Sequence, residues 1–506
     1  MHGFDDVPHS AEASGATGPW YQEMNRYHWF VLVVASLGWL FDCLDQQLFI
    51  LARPAAMKDL LPKLDDPRAF QESVKIYGNY ATSIFLVGWA SGGLIFGVLG
   101  DRIGRAKTML MTILIYSLCT GLSALSTGFW DFAAYRFLTG LGVGGEFAVG
   151  VALVAEVMPT RARTYTLALL QAISAFGNIS AALINIGFGI AEEQKLVTSP
   201  WRWMFVIGAV PALLALVIRR RLKEPEQWQK ASHDRAVTKQ LGSYAELFRN
   251  PRWKKHALLG LVLACSGVIG LWAVGFFTPD LTRYVQRKPI ITQVYGEQIA
   301  KARGEDHVER VSQLEAARDF ELAGSAGATL PPDIADVKAT VDPIVNGRLS
   351  RWGGLTSMMI NIGAFFGMFG FGAVSQQIGR KPTFAIAFLA AFVSTAAVFG
   401  LMEEFSQIFW MVPIMGFCQL SLFAGYAIYF PELFPTHLRS TGTSFCYNVG
   451  RFVAATGPLV QARLLKTFAA ETESLRYAGV TMCTVFLVGL LVLPFLPETR
   501  GKPLPE

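Results

Sequence analysis

Residues Gly97–Arg105 read GVLGDRIGR, and Gly372–Arg380 read GAVSQQIGR, an offset of 275. A second pair keeps nearly the same spacing. Glu156–Arg163 (EVMPTRAR) returns as Glu432–Arg439 (ELFPTHLR), sharing ExxPTxxR at an offset of 276. A third and looser echo sets LKEPE, ending at Glu226, against FLPE, ending at Glu498, at an offset of 272. Three echoes at nearly one offset imply a duplicated unit, so the chain is expected to be two halves of like architecture.

The surroundings of these motifs are oily. Of 506 residues, 52% are hydrophobic and only 16% charged, against about 25% charged in a soluble domain. Mean hydropathy is +0.37. The 48 glycines suit helices that approach closely in a membrane. The N-terminal stretch MHGFDDVPHSAEASGATGPW lacks a basic n-region, so the first apolar run is expected to be a retained anchor and not a cleaved signal peptide. The six cysteines (Cys43, Cys119, Cys265, Cys418, Cys446, Cys483) fall within predicted spans without metal-ligand spacing. They read as small buried hydrophobes. The net charge of +6 is spread over short loops, which sets topology and does not suggest nucleic acid.

A membrane helix needs about 20 apolar residues. Twelve such windows lie near 28–52, 78–100, 107–127, 130–157, 163–190, 201–220, 256–278, 351–373, 383–402, 406–430, 440–463 and 476–496. Basic residues occupy the second, fourth, sixth and eighth connections: Arg102, Arg105 and Lys107; Arg161 and Arg163; Arg219, Arg220, Arg221 and Lys223; Arg380 and Lys381. The positive-inside rule then puts both termini in the cytoplasm of a bacterial inner-membrane protein. The expected fold is all-α and polytopic, with 12 transmembrane helices in two pseudo-symmetric six-helix bundles. Its expected parts are a cytoplasmic tail (1–27), a first bundle (28–221), a cytoplasmic linker (222–255), a second bundle (256–497) and a C-terminal tail (498–506). The second bundle carries a long outward loop over 282–350, with at least one surface helix, and its PPDIADVKATVDP stretch reads as an extended tether.

Polar residues inside the spans are the functional candidates. In GWLFDCLDQQLF (Gly38–Phe49), Asp42, Asp45 and Gln46 share one helix face. Two like charges this close disfavour double ionisation, so one carboxyl is expected to hold a proton and serve proton coupling. The competing reading is an ion pair or a cap on a broken helix. Glu146 lies ten residues from Arg136 in RFLTGLGVGGE, about 15 Å deeper along the fourth helix. It is expected either to join proton coupling or to make a structural hydrogen bond; Arg136 is expected to pair structurally. Gly140 and Gly144 give this helix a smooth packing face. Arg451, in FCYNVGR, sits twelve residues after Arg439, about 18 Å into the membrane. An arginine stays charged, so it needs a substrate carboxylate or a fixed internal partner. Tyr447 and Asn448 are neighbouring hydrogen-bonders, and Gln171, Asn178, Trp272, Asn361, Gln419 and Tyr426 complete a wet cavity.

GVLGDRIGRAK resembles the loop signature of the major facilitator superfamily. RFLTGLGVGGEF with AEVMPTRAR, and PELFPTHLRSTG with SFCYNVGR, are similar to its metabolite, sialate and aromatic-acid proton symporters. LPETRGKPLPE resembles the tail of its sugar porters. The resemblance covers nearly the whole chain except 282–350. It implies a cytoplasmic latch in which Asp101, Arg105, Glu156 and Arg163 pair when the carrier faces outward, with Arg102 in the same loop. The second copy has Gln376 at the acid's position, so its latch of Arg380, Glu432 and Arg439 is expected to be weaker. FDCLD occupies the place of the aromatic-acid symporters' DGxD, with Cys43 for the glycine.

The expected function is alternating-access, proton-coupled uptake of a small organic anion, such as a carboxylate or acidic sugar. A sugar or polyol symporter, a drug or metabolite antiporter and a non-transporting sensor are the alternatives. The seven histidines lie in loops or at membrane edges, so no enzyme is expected. Nor is any cofactor or metal. The expected partners are the small-molecule substrate, protons and the lipid bilayer, but no nucleic acid, and the carrier is expected to be monomeric.

Overall fold

The computed structural model describes residues 19–62, 67–193, 196–197, 199–213, 221–233, 241–274, 278–322, 332–454, 464, 467 and 474–505. Among the described residues every regular element is helical. The first half holds α1 (Arg26–Leu60), α2 (Pro67–Ile103), α3 (Arg105–Ser123), α4 (Phe129–Val157), α5 (Thr160–Glu193) and α6 (Pro200–Gly208). Two short helices, α7 (Glu226–His233) and α8 (Tyr244–Arg249), lie in the linker. The second half holds α9 (Pro251–Ile269), α10 (Thr278–Gly304), α11 (Val308–Leu322), α12 (Pro332–Ile378), α13 (Arg380–Leu401), α14 (Met411–Leu433), α15 (Arg439–Ala454), α16 (Ser474–Cys483) and α17 (Val485–Val492). Nine helical stretches among the described residues are long and apolar enough to cross a membrane. The other three expected spans, near 201–220, 256–278 and 440–463, each run past the described residues.

The halves meet along two seams, α2 on α15 and α5 on α12. Within the first half, α4 presses on α2 where Gly140 faces the Phe85 carbonyl and Gly144 the Trp89 carbonyl. A side chain at either glycine would push the helices apart.

The duplicated motif works the same way twice. Gly104 (φ +115°) and Gly379 (φ +103°) occupy a backbone region that L-residues rarely adopt. Each opens a helix whose first amides are capped from a distant loop. Glu224 accepts from the Ala106 and Lys107 amides, both at 3.1 Å. Glu498 accepts from the Arg380 and Lys381 amides at 2.9 and 3.0 Å. Burial opposes ionisation of Glu498, but these amides and those of Thr499 and Arg500 outweigh it and hold its carboxyl below the usual range. The structural counterparts are therefore Glu224 and Glu498, 274 positions apart, and not the Glu226 that the loose echo aligned. A Cβ at Gly104 would strike the Glu224 carboxylate. Gly104→Ala is expected to cost about 1–3 kcal/mol, read as a lower melting temperature of the detergent-solubilised chain.

The described residues of the region expected to be a loop over 282–350 form a helical cap. α10 and α12 continue out of the apolar region and pack with α11 around Ile291, Val294, Tyr295, Leu314, Val337 and Val341. The stretch expected to be an extended tether is helical from Pro332 onward. Proline is compatible with a first helical turn. Ile334, Val337, Val341 and Val345 then recur at helical spacing and are buried. At the inner end of α10, Gly270–Val274 is a π-helical segment following α9.

Candidate functional site

Three groups of charged residues are buried in the transmembrane region. The first lies inside the first half. Asp45 accepts a 2.6 Å hydrogen bond from the Thr120 hydroxyl and lies 3.8 Å from Arg136. Arg136 donates to Ser123 at 2.6 Å and is flanked by the rings of Phe49, Phe132 and Phe205. Arg136, expected to pair structurally, is fully buried, and its carboxylate is Asp45. Asp42, one turn earlier, has no such cation beside it among the described residues. Neither of its oxygens has a hydrogen bond among the described residues. Its charged neighbours are Glu146, then Asp45, with the Tyr116 hydroxyl close by. Glu146 accepts a 2.7 Å bond from Thr112 and leaves Oε1 unsatisfied. Asp42 thus faces an acidic companion from another helix, Glu146 of α4, besides the Asp45 that shares its own.

The second group centres on Arg451 in α15. Its guanidinium lies 4.1 Å over Trp89 and 4.2 Å over Tyr447. It donates to the Asn448 side chain at 2.8 Å and the Tyr447 carbonyl at 3.2 Å, and its Nε is unsatisfied. No carboxylate among the described residues is within ion-pair distance of it. Neither Asp42 nor Asp45 is its partner. Cys43, however, has both Asp42 and Arg451 as charged neighbours, so the first two groups adjoin there. The aromatic wall crosses the seam: Tyr447 stacks on Phe147 at 3.9 Å, and Trp39 lies 4.8 Å beyond Phe147.

The third group closes the arginine-rich end of the halves. Arg105 donates to Glu156 at 3.2 and 2.9 Å and lies 2.9 Å from Asp101. Glu156 also takes a 2.7 Å bond from Arg439 of the second half. Asp101 accepts from the Ser440 and Thr441 amides at 3.1 and 2.8 Å, and from the Thr441 hydroxyl at 2.6 Å. It therefore caps the first turn of α15 across the seam, while Glu224 caps the helix that follows it. The second copy pairs Arg380 with Glu432 at 2.8 Å and with Gln376 at 3.3 Å. Arg380 also crosses to the first half, donating to the Thr164 hydroxyl at 2.8 Å. Arg163 is buried with Glu432 nearby, yet closes no ion pair among the described residues. Arg102 lies outside this group and donates to the Leu241 carbonyl.

The family model of the Major Facilitator Superfamily matches residues 35–289, half of the 506. The chain belongs to the Major Facilitator Superfamily. It is similar to a putative metabolite transport protein of Haemophilus influenzae, 26% identical over 95% of this chain and 99% of that one. It is also similar to the sialic acid transporter NanX of Escherichia coli, 26% identical over 96% and 97%. Among solved structures, the proton:xylose symporter XylE bound to 6-bromo-6-deoxy-D-glucose superimposes with a TM-score of 0.61 at 16% identity, covering 94% and 98%. That likeness carries the fold. The chain is an integral membrane transporter and not an enzyme.

In this superfamily member the remaining polar candidates scatter. Asn178 donates to Asn361 across the α5–α12 seam at 3.0 Å. Gln419 donates to Thr395 at 2.6 Å and leaves its oxygen unsatisfied, as does the buried Gln171. Tyr426 spends its hydroxyl on the Leu263 carbonyl and stacks on Phe430, a packing role. Gln46 is half-buried. Trp272 falls in the π-helical segment, and its side chain lies outside the described residues. Sequence reading missed Trp89, Phe147, Thr112, Tyr116 and Thr120. Each sits in an ordinary apolar run, and only the tertiary fold turns it toward a charge.

Proposed function

We propose that the chain takes up a small organic anion together with protons, by alternating access between its two halves. The observation that carries this reading is a mismatch of charges. Among the described residues, Arg451 is buried without a carboxylate at ion-pair distance, and Asp42 and Glu146 are buried together without a cation at that distance. A desolvated guanidinium held only by aromatic faces and neutral oxygens is costly unless an anion completes it. A substrate carboxylate matches its planar fork. Two adjacent carboxyls without a cation keep at least one proton between them, so the proton belongs to the Asp42–Glu146 pair. Asp45, paired with Arg136, fixes the inner wall. The arginine-rich end is the cytoplasmic gate, closed here, and the chain works as a monomer in the bacterial inner membrane. The relative named for sialic acid, itself a carboxylate, supports an acidic substrate.

The test is uptake into proteoliposomes of a panel of small carboxylates and neutral sugars, with and without an imposed pH gradient. Carboxylates are expected to accumulate more with the gradient, up to about tenfold per pH unit for one coupled proton, since a single pH unit stores 1.36 kcal/mol. Uptake of a neutral sugar, with no uptake of or competition by carboxylates, would give the site to a sugar symporter.

A further inference from the structure

The arginine-rich end has one component that the paired motifs do not contain. Past α17 the chain turns back beneath the second half. Tyr429 donates to the Pro497 carbonyl at 2.5 Å, and the Thr499 hydroxyl donates to Glu432 at 2.6 Å. A turn at Gly501 (φ +69°) is closed by the Lys502 amide on the Thr499 carbonyl. That turn seats Leu504 at 9% exposure and brings the Pro505 carbonyl to 2.8 Å from Arg439 Nη2. Arg439 therefore has three acceptors: Glu156 of the first half, the Pro431 carbonyl at 3.3 Å and Pro505.

A guanidinium is a rigid planar fork, so fixing one nitrogen aims the others. With Nη2 on Pro505 and Nε on Pro431, Nη1 points at Glu156. Losing the Pro505 carbonyl would leave a fully buried donor unsatisfied, and the side chain would turn to find water. A cavity of about 280 Å³ lies behind the turn, between Lys502, Pro503 and Pro505 on one side and Arg252 and His256 at the start of α9 on the other. We propose that residues 501–505 are a positioning element of the gate, holding Arg439 aimed at Glu156 so that the arginine-rich end stays closed. This rests on reading the Glu156–Arg439 pair as a gate.

The experiment measures a spin-label distance between Lys107→Cys and Gln377→Cys, exposed positions on the two halves at that end. It uses a chain whose six native cysteines are replaced. Ending the chain at Arg500, which keeps Glu498 and Thr499, is expected to raise the long-distance population about tenfold, the effect of one lost bond to a charged group. Leu504→Asp is expected to do the same, and Pro505→Ala, which keeps the carbonyl, to match the native distribution. With Glu156→Gln already present, the shortened chain is expected to show no further widening. Widening by Glu156→Gln but not by the shortened chain would overturn the proposal and leave the gate standing. No widening by either would remove the gate as well. Further widening in the double variant, or opening by Pro505→Ala, would show that the segment does not act through its carbonyl on Arg439. Native melting temperatures for the variants would separate gate opening from misfolding.

Discussion

Arg451→Lys is expected to weaken carboxylate binding about a hundredfold and to abolish measurable uptake at micromolar substrate. Lysine keeps the charge, so a loss cannot be assigned to charge alone. What it gives up is the two-pronged match to a carboxylate and the flat surface that lies on Trp89 and Tyr447. Charge-assisted bidentate bonds and a desolvated cation–π contact together account for about 3 kcal/mol, and each 1.4 kcal/mol is tenfold in affinity. Calorimetric titration with a carboxylate found active in the uptake panel reads this directly. Affinity within twofold of the native chain would mean that Arg451 is a structural cation. A neutral-sugar carrier would also survive the change.

Asp42→Asn is expected to abolish accumulation driven by a pH gradient while leaving substrate exchange close to native. The variant keeps the side chain's shape and removes the carboxyl proposed to share a proton with Glu146. Asp45→Asn is expected to behave differently. It strands Arg136 in a wall of phenylalanines, and a buried ion left alone costs about 3–5 kcal/mol. The measurements are gradient-driven uptake, counterflow exchange and thermal unfolding on both variants. Should Asp42→Asn accumulate normally while Asp45→Asn is stable and uncoupled, the proton belongs to Asp45.

The helix face alone does not tell Asp42 from Asp45 as the site of the proton. Spacing along one helix shows which residues share a face, and it put Asp42 and Asp45 together. It does not show which neighbouring helix arrives at that face. α4 brings Glu146 beside Asp42 and Arg136 beside Asp45, so two residues three apart have opposite electrostatic surroundings. The fold was far more legible. The repeated GxxxDRIGR-like loops, the basic connections and the apolar windows are local signals, and they imply the architecture that the family match and the superposition on XylE show. The pairing of Asp101 and Glu156 with arginines was legible for the same reason, since these acids sit in the repeat. Arg163 was not, because symmetry in sequence does not force symmetry in contact: Arg439 reaches across to Glu156, whereas Arg163 stops short of Glu432. The cap was misjudged where prolines flank a helical pattern. Ile334, Val337, Val341 and Val345 carried the signal, and the flanking prolines hid it.

α12 is one unbroken helix of 47 residues, about 70 Å long, and only about 30 Å of it is needed to cross hydrocarbon. The remaining 40 Å or so is an outrigger clamped to the cap. Each degree by which the second half rocks would swing its tip by roughly 0.7 Å, as for any rigid rod of that length. Motions too small to see at the buried charges would be magnified outside the membrane. A fluorophore on the cap would then serve as the pointer of a gauge, reporting which way the carrier faces without touching the site.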